Sequence, residues 1–114
     1  MISQNFSRDE FACKCGCGFD VVDIELVHVL EKVRAKFNKP VTINSACRCE
    51  SHNKKIGGTD GSKHKLGIAA DIVVKDTKPS LVYAFLCKYA PLRYGIGSYD
   101  TFTHIDVRQQ KARW

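Results

Sequence analysis

Two histidines and an aspartate lie in sequence segments that could bring them to one metal ion. His64 lies in a polar loop, and Asp71 follows it in a run of apolar residues typical of a buried strand. A buried carboxylate is costly unless it is paired or binds a metal. His104 lies in a second strand-like segment. These three ligands would leave the fourth position of a tetrahedral zinc ion open, as in catalytic rather than structural zinc sites.

The segment around His104 places further polar residues beside it. Because alternate side chains of a strand share a face, His104, Asp106 and Arg108 would point to the same side. Either histidine alone would be interpreted more simply as an ordinary loop or strand residue, with Asp71 paired to a basic side chain. The two segments together favour a metal site, where a water molecule would be acidified toward neutral pH and a peptide carbonyl polarised.

A longer pattern carries a resemblance to a known family. The sequence S-x-H-x-x-G-x-A-x-D over residues 62–71, followed by a strand with H-x-D, resembles the zinc D-Ala-D-Ala carboxypeptidase family of peptidoglycan peptidases. That group includes phage endolysins and D,D-dipeptidases, and it is related to the hedgehog fold. The chain is most similar to the small single-domain branch, over nearly its whole length. The other matching segments are residues 11–16, 43–49, 53–58 and 112–114.

The resemblance implies a role for each site residue. His64, Asp71 and His104 match the ligands of one catalytic Zn²⁺ ion. Ser62 matches a residue that hydrogen-bonds near the substrate. Arg48 matches an arginine that binds substrate and stabilises the carbonyl oxygen as it becomes an oxyanion, which favours the transition state. A surface arginine is the alternative interpretation of Arg48.

The general base is a separate question, because the usual positions are not filled. Many relatives carry an acid three residues before the last histidine or a histidine two residues before it, and here those residues are Thr101 and Phe102. We predict Asp106 as the base, with Asp100 as the alternative. In this mechanism Asp106 deprotonates a zinc-bound water that attacks the peptide carbonyl, and it then protonates the leaving amine.

The function that follows is zinc-dependent hydrolysis of peptide bonds in peptidoglycan stem peptides or cross-links. The enzyme would be a carboxypeptidase or an endopeptidase, used in phage or prophage lysis or in wall remodelling. The alternative is a zinc-stabilised cell-wall-binding module with little or no turnover. The unfilled base positions favour this alternative.

Hydrophobic periodicity and turn residues predict an α+β fold. Ser7 and Glu10 form a capping-box pattern that opens a short helical turn. Helices are predicted over residues 22–37, 50–55 and 79–89. Thr77 or Asp76 would cap the last helix. Strands are predicted over residues 41–44, 68–74, 93–98 and 102–108, the last two forming a hairpin. The chain would be a single domain, residues 1–114, with helices on one face of a small, mostly antiparallel sheet.

Charge and composition limit the class of protein. The 114 residues are 44% hydrophobic and carry a net charge of +6, which favours anionic partners. Nucleic acid is disfavoured as a partner because basic and aromatic residues do not cluster. The N-terminal residues lack the features of a signal peptide. We therefore expect synthesis in the cytoplasm, no membrane insertion, a monomer, and action at the cell wall after release by another protein.

Six cysteines are many for a chain of this length. Cytoplasmic synthesis favours free thiols or a structural metal, whereas an extracellular place of action favours disulfides. The run Cys13, Cys15 and Cys17 is tighter than the two-residue spacing usual in zinc knuckles. The sequence therefore favours free or disulfide-paired cysteines over a second metal site.

Overall fold

A computed structural model describes residues 2–18, 20–58 and 61–114 of the chain. Within these ranges five strands form one sheet, in the order β1-β2-β4-β3-β5. They are β1 (Val41–Ser45), β2 (Ala69–Val74), β3 (Gly95–Ser98), β4 (Thr103–Asp106) and β5 (Ala112–Arg113). Only β5 pairs in parallel, with β3, among the strand pairs of this described part. The predicted hairpin of β3 and β4 and the mostly antiparallel sheet are confirmed.

Two of the helices cover one face of this sheet. Helix α1 (Ile24–Phe37) and helix α3 (Pro79–Tyr89) pack against the sheet through one apolar core, while the short α2 (Glu50–Lys55) follows β1. Fully buried members of this core include Leu26, Leu30, Ile72, Leu86, Ile96 and Ile105. The predicted α+β class is therefore confirmed. No helix in the described part of the chain has the length and apolar character needed to cross a membrane.

Local hydrogen bonds explain where the helices begin. Ser7 and Glu10 form the predicted capping box at a 3₁₀ helix, Arg8–Phe11. Asp23 caps α1 by accepting a hydrogen bond from the Glu25 amide at 2.8 Å. The predicted cap of α3 is wrong. Its N-cap is Lys78, whose side chain makes no capping hydrogen bond. Thr77 does not cap the helix, since its hydroxyl donates to the Lys75 carbonyl at 3.0 Å.

The strand register assigns the polar residues to the face that the helices leave open. Asp71 of β2 lies opposite His104 of β4, and His104 lies opposite Gly97 of β3. Asp106 lies between Ala69 and Gly95 in the same way. Because side chains alternate along each strand, a shift of one residue would turn these polar groups into the apolar core.

Candidate metal centre

The structure brings the three predicted metal ligands together on this open face. Asp71 Oδ1 lies 3.3 Å from His64 Nε2 and 3.0 Å from His104 Nδ1. One donor atom from each residue lies within 4.8 Å of the others, and all three side chains are buried. Imidazole nitrogen and carboxylate oxygen are donors that zinc accepts, so the residues present fit a bound zinc ion.

His64 is held in position by its own loop. It lies in a 3₁₀ helix, Lys63–Leu66, and the Ser62 hydroxyl accepts a hydrogen bond from the His64 amide at 3.3 Å. His64 Nδ1 lies 2.7 Å from the Ala46 carbonyl, which can only accept, so Nδ1 carries the hydrogen. Nε2 is therefore the ring nitrogen that faces Asp71 and that is left for a metal ion, as is usual for metal-binding histidines.

Gly67 ends the loop that carries His64. Its φ of 72° lies in the left-handed region, and a Cβ there would come within 2.6 Å of the Val21 carbonyl oxygen. Any other residue would be strained at this position and would also push against the backbone of a neighbouring segment. The glycine that the sequence pattern places between His64 and Asp71 is therefore required by local geometry.

Asp106 contacts the nitrogen of His104 that does not face Asp71. Its Oδ2 atom lies 2.7 Å from His104 Nε2, while His104 Nδ1 faces Asp71. Arg108 donates to both carboxylate oxygens, at 2.7 and 2.8 Å, and the Gly95 amide donates at 3.2 Å. The side chain of Asp106 is fully buried. This placement does not fit the predicted general base, because the carboxylate is enclosed and its oxygens are already hydrogen-bonded.

The ionisable side chains of the centre shift one another's pKa values. Burial alone would raise the pKa of Asp71, but hydrogen bonds from His104 and His64 hold it well below its usual range. Burial likewise opposes a low pKa at Asp106, and His104 and Arg108 overcome it. Burial lowers the pKa of His104, whereas the two carboxylates that face its nitrogens raise it above the usual value. The buried carboxylates are therefore ionised and paired, as buried charges must be.

Arg48 lies beside the ligands and is fixed by three side chains. Its guanidinium donates to Asp71 Oδ2 at 3.3 Å, to Asn53 Oδ1 at 3.1 Å and to Ser45 Oγ at 3.1 Å. Its side chain is 12% exposed, so the alternative of a surface arginine is wrong. Asn53, which is buried, was not identified from the sequence, because its role depends on the approach of Arg48.

A pocket of about 410 Å³ opens onto the ligands. Arg48, Ser62 and Lys63 line it, and an aromatic wall faces them. This wall consists of Tyr99, Phe102 and Trp114. Asp71 is the only carboxylate lining the pocket among the described residues. Asp100, the alternative general base, lines a different depression and is exposed.

The aromatic wall depends on strand β5, which the sequence did not predict. Trp114 follows β5, and its ring centroid lies 5.0 Å from that of His104. Trp114 Nε1 donates to the Tyr99 hydroxyl at 2.8 Å. A Cβ at Gly97 would come within 2.5 Å of Trp114 Nε1, so the indole occupies space that this strand leaves empty. A glycine inside a strand is the signal that could have indicated such a close approach.

Two histidines and an aspartate, buried at the base of an open pocket on an α+β fold, define the centre of a single-metal hydrolase. The sequence model of the Peptidase M15 family matches residues 4–106. The chain therefore belongs to the peptidase M15 family, which consists of zinc-dependent metallopeptidases, and the resemblance in the sequence is confirmed. No curated protein sequence matches the chain. Arg108 and Trp114 lie beyond the matched residues.

Proposed function

We propose that the protein is a zinc peptidase that cuts peptide bonds in bacterial peptidoglycan. The observation that carries this proposal is the buried set of His64, Asp71 and His104 at the base of the pocket, with Arg48 beside it. A zinc ion bound by these residues would act as a Lewis acid on the peptide carbonyl and would acidify a water molecule toward neutral pH.

The position of Arg48 supports a role as an electrostatic catalyst. It lines the pocket, and its contacts with Asp71, Asn53 and Ser45 fix the guanidinium before substrate binds. A fixed cation favours the charge that develops on the carbonyl oxygen in the transition state. Ser62 also lines the pocket, and we assign its hydroxyl to hydrogen bonding with the substrate.

Asp106 takes a different role from the one that its position in the sequence indicates. We assign it to orienting His104, since a carboxylate on the second nitrogen of a metal-binding histidine fixes the ring and increases its basicity. Arg108 in turn holds Asp106. A bound metal ion would lower the pKa of the attacking water so that its proton could pass to solvent, rather than to Asp106 or Asp100.

The chemistry of the pocket supports an anionic peptide as the substrate. Arg48, Lys63 and Arg108 line it, and the chain as a whole has a net charge of +6. Peptidoglycan stem peptides offer carboxylates, for example at a terminal D-alanine. We propose that the protein acts as a monomer on such a peptide, as a carboxypeptidase or an endopeptidase.

The setting of this activity is also a proposal. We infer that the protein is made in the cytoplasm and reaches the wall after release, during phage or prophage lysis or wall remodelling. The resemblance of the sequence to the single-domain peptidases of this family supports this inference.

The test is to incubate the zinc-loaded protein with purified peptidoglycan and to identify the released fragments by mass spectrometry. We expect new peptide or amino-acid products that His64→Ala fails to release. His28→Ala is the matched control, because His28 is an exposed histidine on α1. The masses of the products identify the bond. Intact peptidoglycan in the presence of protein that binds zinc at this centre would contradict the proposal.

A second candidate is a zinc-stabilised module that binds the cell wall without turnover. The observation in its favour is that Asp71, a metal ligand, is the only carboxylate lining the pocket among the described residues. Sedimentation with peptidoglycan separates the two functions. A binding module would sediment with the wall and release nothing, whereas the peptidase would release fragments at substoichiometric amounts of protein.

A further inference from the structure

Four cysteines converge at a second position, and none of these four lines the pocket. One sulfur atom from each of Cys13, Cys15, Cys17 and Cys49 lies within 4.8 Å of the others. The Sγ atom of Cys13 lies 3.4 Å from that of Cys15 and 3.7 Å from that of Cys49. The Sγ atoms of Cys15 and Cys49 are also 3.7 Å apart. Three of these cysteines are close together in the sequence, whereas Cys49 comes from a distant segment.

These distances match the edges of a metal–thiolate tetrahedron. A zinc–sulfur bond of about 2.3 Å implies sulfur–sulfur distances of about 3.8 Å in a tetrahedral site. A disulfide requires a sulfur–sulfur distance of about 2.0 Å and joins only two cysteines, whereas here four sulfur atoms lie together. All six cysteines are free of disulfides in the structure, including Cys47 and Cys87, which lie outside the cluster.

Backbone amides support the sulfur atoms of the cluster. The Cys49 amide donates to Cys13 Sγ at 3.4 Å, and the His52 amide donates to Cys49 Sγ at 3.4 Å. Such donors compensate the negative charge that a metal-bound sulfur keeps, and they orient the ligand. The amide of Gly16 bonds to the Cys13 carbonyl at 3.2 Å, so a tight turn brings the first three cysteines together.

We propose that Cys13, Cys15, Cys17 and Cys49 bind a second zinc ion, which is structural and separate from the peptidase centre. Four cysteines fill the tetrahedral shell and leave no position for water or substrate. Each thiol gives up its proton to solvent on binding, so the zinc–cysteine unit carries two negative charges. The sequence favoured free or paired cysteines because it showed only the tight run of three and not the approach of Cys49.

The proposed site would connect the N-terminal segment to the catalytic pocket. Cys49 directly follows Arg48, whose amide bonds to the His64 carbonyl at 3.1 Å. The amide of Cys47 bonds to the Phe11 carbonyl at 3.0 Å. A metal ion on Cys49 would therefore fix the segment that carries Arg48.

The test uses cobalt(II) in place of zinc, because thiolate ligands give it an intense near-ultraviolet charge-transfer absorption that histidine and carboxylate ligands do not. We expect wild-type protein to bind two cobalt ions and His64→Ala to bind one while keeping the thiolate absorption. Cys13→Ser should lose one ion and that absorption. Cys87→Ser is the matched control and should keep both, since Cys87 lies outside the cluster.

The proposal would be overturned by one metal ion per wild-type chain without thiolate absorption, or by disulfides among these four cysteines in mass spectra of unreduced protein. The readout in wild type and His64→Ala stands even where a cysteine variant does not fold. It also measures metal content and not hydrolysis. Failure of the cysteine site and failure of the proposed peptidase activity are therefore distinguishable.

Discussion

The peptidase centre and the cysteine cluster differ in how their side chains are held in position. The ligands at the peptidase centre are buried, two of them on paired strands, and each histidine has a second hydrogen-bonding partner in the protein. In the cysteine cluster, by contrast, Cys15 and Cys17 are exposed and lie in a loop. The sheet and the histidines' hydrogen bonds thus hold the first site in shape, whereas under the proposal above a bound metal ion would order the loop at the second site. The catalytic geometry is prepared before metal binds, as productive geometry requires.

The largest effect is expected from Asp71→Asn, which keeps the shape of the central ligand and removes its charge. We expect hydrolysis to fall to background and metal content to fall from two ions to one, because the cysteines are untouched. Elemental analysis and peptidoglycan digestion measure the two quantities. Asp76→Asn, an exposed acid in a turn, is the control. Unchanged hydrolysis in Asp71→Asn would contradict the assignment of Asp71 to a metal centre that carries the activity.

The next largest effect concerns stability and isolates the cysteine cluster. In a His64→Ala background, a chelator should lower the free energy of unfolding by about 2.7 kcal/mol relative to free zinc at about 100-fold its dissociation constant. Adding Cys49→Ser should abolish this difference, whereas adding Cys87→Ser should preserve it. Urea unfolding with and without chelator is the measurement. A difference that survives Cys49→Ser would place the stabilising metal elsewhere.

Asp106→Asn distinguishes orientation of His104 from proton transfer. Loss of such a supporting carboxylate typically costs about 10- to 100-fold in metal affinity or activity. We expect zinc affinity at the peptidase centre to weaken by this factor, with hydrolysis largely restored at saturating zinc. A general base would show the opposite result, namely unchanged zinc affinity and lost turnover. Asp100→Asn should change neither quantity, since Asp100 does not line the pocket.

The smallest effect is expected from Trp114→Ala, which removes one of the three side chains of the aromatic wall and leaves the ligands in place. Aromatic contacts of this kind contribute about 0.5 to 1.5 kcal/mol beyond the area they bury. We expect KM to rise by up to about tenfold, with metal content unchanged. Steady-state kinetics on a released stem peptide test this, with the exposed Leu92→Ala as control. A fall in metal content would show that Trp114 supports the centre itself.

The sequence predicted that His64, Asp71 and His104 converge because the determinants of their positions are local. His64 and Asp71 are joined by one turn and one strand, and Gly67 marks the bend between them. His104 follows from the alternation of side chains along a single strand. The four predicted strands match the structure to within two residues at their ends, and the left-handed Tyr94 directly precedes β3.

The features that the sequence did not predict depend on contacts between distant segments. The role of Asp106 depends on which nitrogen of His104 faces Asp71, and this follows from side-chain geometry. Trp114 reaches the pocket only because β5 pairs in parallel with β3. Cys49 joins the other three cysteines only in the folded chain. Spacing along the chain contains none of this information.

The strand order has a consequence for the timing of folding. Asp71 and His104 meet because β2 pairs with β4, which follows it only after α3 and β3. Contacts between residues so far apart in the chain carry a large loop-closure cost and slow folding. The peptidase centre is therefore expected to assemble late, after the folding transition state. Interactions that form late slow unfolding and leave the folding rate nearly unchanged. Zinc at this centre would thus act mainly by lengthening the lifetime of the folded protein.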